Sequence, residues 1–262
     1  MEMEFLQVKN VRLHYRFDGS EKLPVLVLSN SLGTDLSMWD VQMTALTRHF
    51  WVLRYDTRGH GASEVVPGPY TIEQLGRDVL GLLDGLGIER VSFAGVSLGG
   101  MTGMWLALHA ANRLDRLALC NTAAFIGPRD IWDTRIAAVR QGGMAAIAEG
   151  VLARWFRKPF LEENPPEVQQ VRQTLLATAP EGYMAACAAV RDMDQREAVR
   201  RIEVPTLVIA GSEDLATPPV DGKYLAEQIR NARYVELKGA HLSNIEAAEP
   251  FTRELVQFLT GQ

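Results

Sequence analysis

The chain has 262 residues, 47% hydrophobic and 23% charged, the balance of a soluble globular protein whose core is large enough to fold without staples. Its formal net charge of -5, from 27 basic and 32 acidic side chains, argues against a nucleic-acid partner, whose phosphates require a basic face. Two cysteines, Cys120 and Cys187, are too few for a disulfide framework; residues 1–10 lack the apolar run of a secretion signal and no stretch approaches the ~18 uninterrupted apolar residues of a membrane span, so no membrane association and a cytoplasmic location are expected.

Residues 5–17 alternate polar and apolar side chains, broken at Lys9-Asn10, and predict an opening hairpin. Residues 23–29 and 51–55 are short apolar runs, as expected of strands buried on both faces. A helix follows over 71–86: Thr71 and Gln74 have capping-box spacing, Leu75, Val79, Leu82, Leu83 and Leu86 form one stripe, and Gly87 stops it. Strand 90–94, helix 99–111 and strand 114–119 come next. Residues 123–198 break the alternation, with helix-like segments and no convincing strand. Strand 205–210, helix 221–230, strand 233–237 and helix 248–259 then resume it. Alternating strands and helices predict an α/β fold, a mostly parallel sheet covered by helices on both faces. Residues 1–122 and 199–262 are read as its core domain, with 123–198 a helical insertion between two strands.

Gly95-Val96-Ser97-Leu98-Gly99 is a G-x-S-x-G motif placed between a predicted strand and a predicted helix, the context a nucleophile elbow requires. A serine hydroxyl needs a base within hydrogen-bond reach, and the base needs an orienting acid. Of the five histidines, His14, His49 and His109 fall in the hairpin or on helices. His241 follows the last strand, where an α/β sheet builds its site, with His60 in the turn after strand 51–55 as the rival. The acid is expected between Ser97 and His241 in the chain: Asp214, with Glu213 beside it as the alternative. The oxyanion donors are assigned to the backbone N–H groups of Leu98, after the nucleophile, and Leu32, in the loop after strand 23–29.

In order of elements and in motifs the chain resembles the α/β-hydrolase family over essentially its whole length. Segments 29–34 (Ser-Asn-Ser-Leu-Gly-Thr), 56–63 (Asp-Thr-Arg-Gly-His-Gly-Ala-Ser) and 95–100 (Gly-Val-Ser-Leu-Gly-Gly) carry a narrower resemblance, to the 3-oxoadipate enol-lactonases of aromatic-compound breakdown. The first is the most telling, because many relatives have His-Gly where this chain has Asn30-Ser31. The resemblance implies that the 123–198 insertion is a cap (lid) over the pocket and that no metal or organic cofactor takes part. It also implies a small anionic lactone as substrate, opened by water through an acyl-enzyme. A carboxylesterase, a C–C bond hydrolase of ring-cleavage products, a cofactor-free haloperoxidase and a non-catalytic binding relative are the rival readings. Dehalogenases and epoxide hydrolases carry an aspartate where this chain has Ser97. Trp132, Trp155 and Phe156 are then expected on the pocket wall. A substrate carboxylate needs a charged partner, for which the cap offers Arg129, Arg135, Arg140, Arg154 and Arg157. Arg135 and Arg154, each close in sequence to a tryptophan, are preferred, with Ser31 or backbone amides as the other option.

Overall fold

A computed structural model describes residues 3–262. Its strands are β1 (Glu4–Val8), β2 (Val11–Asp18), β3 (Val25–Ser29), β4 (Trp51–Tyr55), β5 (Val91–Val96), β6 (Leu114–Cys120), β7 (Thr206–Gly211) and β8 (Arg233–Leu237). They form a single eight-stranded sheet in the order β1-β2-β4-β3-β5-β6-β7-β8. The opening hairpin is antiparallel and joins β4 antiparallel. All pairings from β4 through β8 are parallel.

Every residue of β5 and β7 is buried, which explains why these strands read as continuous apolar runs. β8 lies at the sheet edge, and its Arg233 and Glu236 are exposed.

The core helices are α1 (Asp40–Leu46), α2 (Ile72–Gly85) and α3 (Leu98–His109) before the insertion. Thr71 caps α2 as its spacing predicts: its hydroxyl accepts from the Gln74 N–H at 3.1 Å and the Gln74 side chain accepts from the Thr71 N–H at 3.0 Å. The seven-residue α1 ends at Leu46, so His49, expected at the end of a helix, lies in the turn that follows.

The insertion supplies α4 (Arg129–Gly142), α5 (Ala148–Trp155), α6 (Lys158–Glu163), α7 (Pro166–Ala177) and α8 (Pro180–Asp192). Its two ends meet: Phe125 and Asp194 form an antiparallel bridge, and the Gln195 N–H donates to the Ala124 carbonyl at 2.8 Å. After β7 come α9 (Pro219–Gln228), α10 (Ser243–Glu246) and α11 (Ala248–Thr260). Helix α2 packs on α3, which lies against β5 and β6, whereas α1 packs on α11. Among the described residues no helix is long and apolar enough to cross a membrane.

This topology places the site. From β3 the chain passes to β4 on one side and then crosses to β5 on the other, so the order reverses at β3 and β5. The crevice at the carboxyl ends of such a strand pair is where open α/β sheets bind ligands. Ser29 pairs with Gly95 across this boundary, so the loop carrying Leu32 and the turn carrying Ser97 leave the sheet side by side.

Candidate active site

Ser97 is the residue between β5 and α3, with φ 55° and ψ -113°. A non-glycine side chain rarely adopts positive φ, so this is local strain, held by what surrounds it. The Ser97 N–H donates to the Cys120 carbonyl at 2.9 Å, and its carbonyl accepts from the Thr122 hydroxyl at 2.7 Å. The two motif glycines answer to close approach. A Cβ on Gly95 would lie 2.2 Å from the Gly99 carbonyl carbon, and one on Gly99 would lie 2.3 Å from the Ser29 carbonyl oxygen. Both contacts are with backbone, which cannot swing aside.

Asp214 lies in the loop after β7 and His241 in the loop after β8, adjacent parallel strands. Asp214 Oδ2 is 2.9 Å from His241 Nδ1, and both side chains are almost fully enclosed. The carboxylate is surrounded by donors. Oδ1 accepts from the Ala216 and Thr217 N–H groups at 2.7 and 2.9 Å. Oδ2 also accepts from the Thr217 hydroxyl at 2.8 Å and the Asn121 amide at 3.0 Å. Burial alone would raise the Asp214 pKa, but the His241 partner and the donors from Thr217 and Asn121 outweigh it, holding the carboxyl below its ordinary value. Glu213 goes elsewhere: it is largely exposed and faces Arg157, with Oε1 3.5 Å from Nη1.

His60 stands away from this arrangement. It is buried, its Nδ1 lies 3.2 Å from the Arg58 carbonyl, and burial holds its pKa below the ordinary value. His14 pairs with Asp56 at 2.7 Å, and His109 stacks on Trp105.

Leu98 is the first residue of α3, so its N–H is among those with no intrahelical acceptor, at the positive end of the helix dipole. Leu32 lies opposite on the cavity wall. The loop between is pinned by Asn30, whose amide donates to the Tyr55 carbonyl at 2.8 Å and whose oxygen accepts from the Trp39 indole at 3.1 Å. Asn30 therefore braces this loop on both sides. The Ser31 hydroxyl also faces the cavity region and is buried without a hydrogen-bond partner among the described residues.

A cavity of about 410 Å³ brings Ser97, His241, Ser31 and Leu32 together with Trp132, Arg135, Arg154, Trp155, Tyr183 and Asp221. The volume suits a small molecule. The insertion supplies the wall opposite the sheet. The Trp132 indole is held by the Ile126 carbonyl at 2.9 Å, and the Arg135 guanidinium lies over its ring, 4.6 Å from the centroid. Arg154 is partly buried, and burial followed by the nearby Arg135 charge lowers its pKa from the ordinary arginine value. Among the described residues neither Arg135 nor Arg154 forms a salt bridge with a carboxylate.

The other cap arginines are occupied or elsewhere. Arg129 pairs with Asp192 at 2.7 Å and Arg157 with Glu246 at 2.7 Å, while Arg140 lies at a second surface cavity. Phe156 is a correction to the expected wall: it is buried against Phe160, 5.6 Å between centroids, and does not line the cavity. On a helix end, the side chain after Trp155 points away from the face Trp155 presents.

The sequence reading missed Asn121, Thr217, Tyr183, Asp221 and Glu246. A weak signal existed for two. Asn121 directly follows a strand on the carboxyl edge, and Thr217 stands three residues after the acid, within reach of an Asx-type turn.

The family model described as the alpha/beta hydrolase fold matches residues 24–248. The chain is 42% identical over 246 residues to 3-oxoadipate enol-lactonase 2 of Acinetobacter baylyi, covering 94% of this chain and 92% of that protein. It is 41% identical to 3-oxoadipate enol-lactonase 1 of the same organism, covering 95% and 92%. The crystal structure of the enol-lactonase from Burkholderia xenovorans LB400 superposes with a TM-score of 0.97 at 51% identity, covering 98% of this chain and 100% of that one. With the family model spanning most of its length and this degree of identity to hydrolases, the chain belongs to the α/β-hydrolase family.

Proposed function

We propose that this protein hydrolyses 3-oxoadipate enol-lactone to 3-oxoadipate, with residues 123–198 acting as the cap over the pocket. One observation carries the substrate class. Arg135 and Arg154 stand without carboxylate partners on the wall of the cavity that holds Ser97 and His241. Two partly buried cations left unpaired favour an anion between them. The enol-lactone has a carboxymethyl arm on its ring, and similarity to the 3-oxoadipate enol-lactonases supports the particular lactone.

The mechanism follows from the positions. Ser97 Oγ attacks the lactone carbonyl while His241 Nε2 takes its proton, the imidazole being oriented through Nδ1 by Asp214. The ring carbonyl oxygen becomes an oxyanion, stabilised by the Leu32 and Leu98 N–H groups. Collapse breaks the bond between the acyl carbon and the ring oxygen. The protonated His241 returns its proton to the departing enolate oxygen, and the enol so released tautomerises to the ketone. The chain is still tethered as an acyl-Ser97 ester. A water, deprotonated by His241, then attacks that ester, giving the second carboxylate and free Ser97. The arginine pair and Ser31 hold the substrate through this sequence, and Trp132 and Trp155 exclude water from the ring.

The test compares the enol-lactone with a neutral aryl ester on the same preparation. kcat/KM for the lactone is expected to exceed that for the ester by about 10² or more, the scale on which a paired buried carboxylate contributes. Equal kcat/KM for the two would leave the protein a general carboxylesterase.

A further inference from the structure

His241 sits between two residues whose backbone N–H groups tie it to the insertion, one directly and one through a carboxylate that the insertion grips. On its N-terminal side, the Ala240 N–H donates to Glu246 Oε2 at 2.9 Å. That carboxylate is fully enclosed and is gripped by Arg157, through Nε to Oε1 at 2.7 Å and through its backbone N–H to Oε2 at 3.3 Å. On its C-terminal side, the Leu242 N–H donates to the Trp155 carbonyl at 3.0 Å. Arg157 also reaches Glu213, the neighbour of Asp214, at 3.5 Å. The same short stretch of cap carries Arg154 and Trp155 into the pocket wall.

We propose that Arg157, acting through Glu246, is a positioning residue for His241, fastening the base loop to the cap segment that forms the substrate-binding wall. The inference rests on the reading of His241 as the base. Its physical content is registration. The imidazole comes from the core domain, whereas Arg154 and Trp155 come from the insertion, whose other ties to the core, among them the Tyr70 N–H to the Ala185 carbonyl at 3.1 Å and the Gln195 side-chain amide to the Met101 carbonyl at 3.0 Å, do not involve the base loop. A base displaced by about 1 Å can cost on the order of 10² in rate. Two bonded points on either side of the base, one of them an enclosed carboxylate held by a charge-assisted hydrogen bond from Arg157 Nε, keep the base and the wall at a fixed separation. Arg157 is not among the residues that line the cavity, so its contribution passes through the loop.

The experiment uses the full chain and 4-nitrophenyl acetate, a neutral ester that does not depend on the arginine wall. Burst amplitude counts active sites, and the turnover rate is then expressed per site. Arg157→Ala is expected to lower the per-site rate by about tenfold or more, with KM within about twofold, and Arg157→Lys to recover part of that loss, since it restores the charge and a donor but not the fixed position of the Nε donor. A residue that only stabilises the fold would lower burst amplitude and leave the per-site rate unchanged. Should Arg157→Ala fail to fold because Glu246 is left as a lone enclosed charge, the double variant Arg157→Met with Glu246→Gln removes both charges and is expected to show the same per-site loss. A per-site rate at the wild-type level in Arg157→Ala, or in the double variant, overturns the positioning role. Ser97→Ala and His241→Ala run alongside. If these abolish the burst while the Arg157 variants are normal, the latch fails and the base assignment stands; a normal burst in His241→Ala removes both together.

Discussion

The two charged parts of the site are built on opposite terms. Asp214 is an enclosed carboxylate with donors from Ala216, Thr217, Asn121 and His241 gathered on its two oxygens. Arg135 and Arg154, on the cavity wall, form no salt bridge with a carboxylate among the described residues. The first arrangement is complete before any ligand arrives and fixes one imidazole orientation. The second is incomplete by itself and is completed by whatever anion enters. A group that must keep one geometry through a reaction is best satisfied by the protein, while a group that must select a ligand is best left for the ligand to satisfy.

The sharpest way to break the completed side is to remove the nucleophile it serves. Ser97→Ala is expected to lower kcat by about 10⁶ with the circular dichroism spectrum and melting temperature unchanged, because the hydroxyl makes no hydrogen bond among the described residues. Near-normal turnover in that variant would remove the acyl-enzyme mechanism altogether. Next in size is Asp214→Asn, expected to cost about 10⁴ in kcat because the amide favours the wrong imidazole tautomer. Glu213→Gln serves as its partner experiment. It should change kcat by no more than about tenfold, since Glu213 acts only at the rim of the Arg157 network. A larger loss in Glu213→Gln than in Asp214→Asn would transfer the acid role.

The incomplete side should break selectively. Arg135→Ala and Arg154→Ala are each expected to raise KM for the anionic lactone by about 10- to 10²-fold, the range of a charge-assisted hydrogen bond. Neither should move KM for a neutral aryl ester by more than about twofold. The measurement is the ratio of the two KM values. If both substrates weaken alike, the arginines shape the wall and do not read charge.

The same contrast separates what the sequence discloses from what it conceals. The elbow at Ser97, the α2 capping box and the strands β3 to β7 are legible because each depends on neighbours in the chain. Gly95 and Gly99 are forced by contacts within a few residues or with a paired strand, and Thr71 and Gln74 satisfy each other. Asp214 could be preferred over Glu213 but not separated from it, since adjacent side chains on a loop differ only in where they point, and that is decided by Asn121, 93 residues away. The cap is less legible still. Trp155 and Phe156 are equivalent in composition, and only the direction in which α5 ends puts one on the cavity and the other on Phe160. The pairing of Arg157 with Glu246 spans 89 residues and has no local signature.

Asp221 supplies the smallest effect and joins the two sides. It lies in the first turn of α9 and lines the cavity with His241, Arg135 and Arg154. A carboxylate at a helix N-terminus would ordinarily be stabilised in its charged form. Here burial, followed by the negative charge of Asp214, pushes its pKa up to about 6. The sign is therefore that Asp221 is neutral below about pH 6 and acquires its charge above it. Once charged, it opposes the anion that the arginines attract. At a separation of several ångströms in a partly solvated cavity this repulsion is on the order of 1 kcal/mol, or about fivefold in KM. KM for the anionic lactone is expected to rise by about that factor between about pH 5 and pH 7.5, while KM for a neutral ester stays flat. Asp221→Asn should abolish the rise and leave KM at its acidic value throughout. A rise that persists unchanged in Asp221→Asn would place the titrating group elsewhere on the cavity wall.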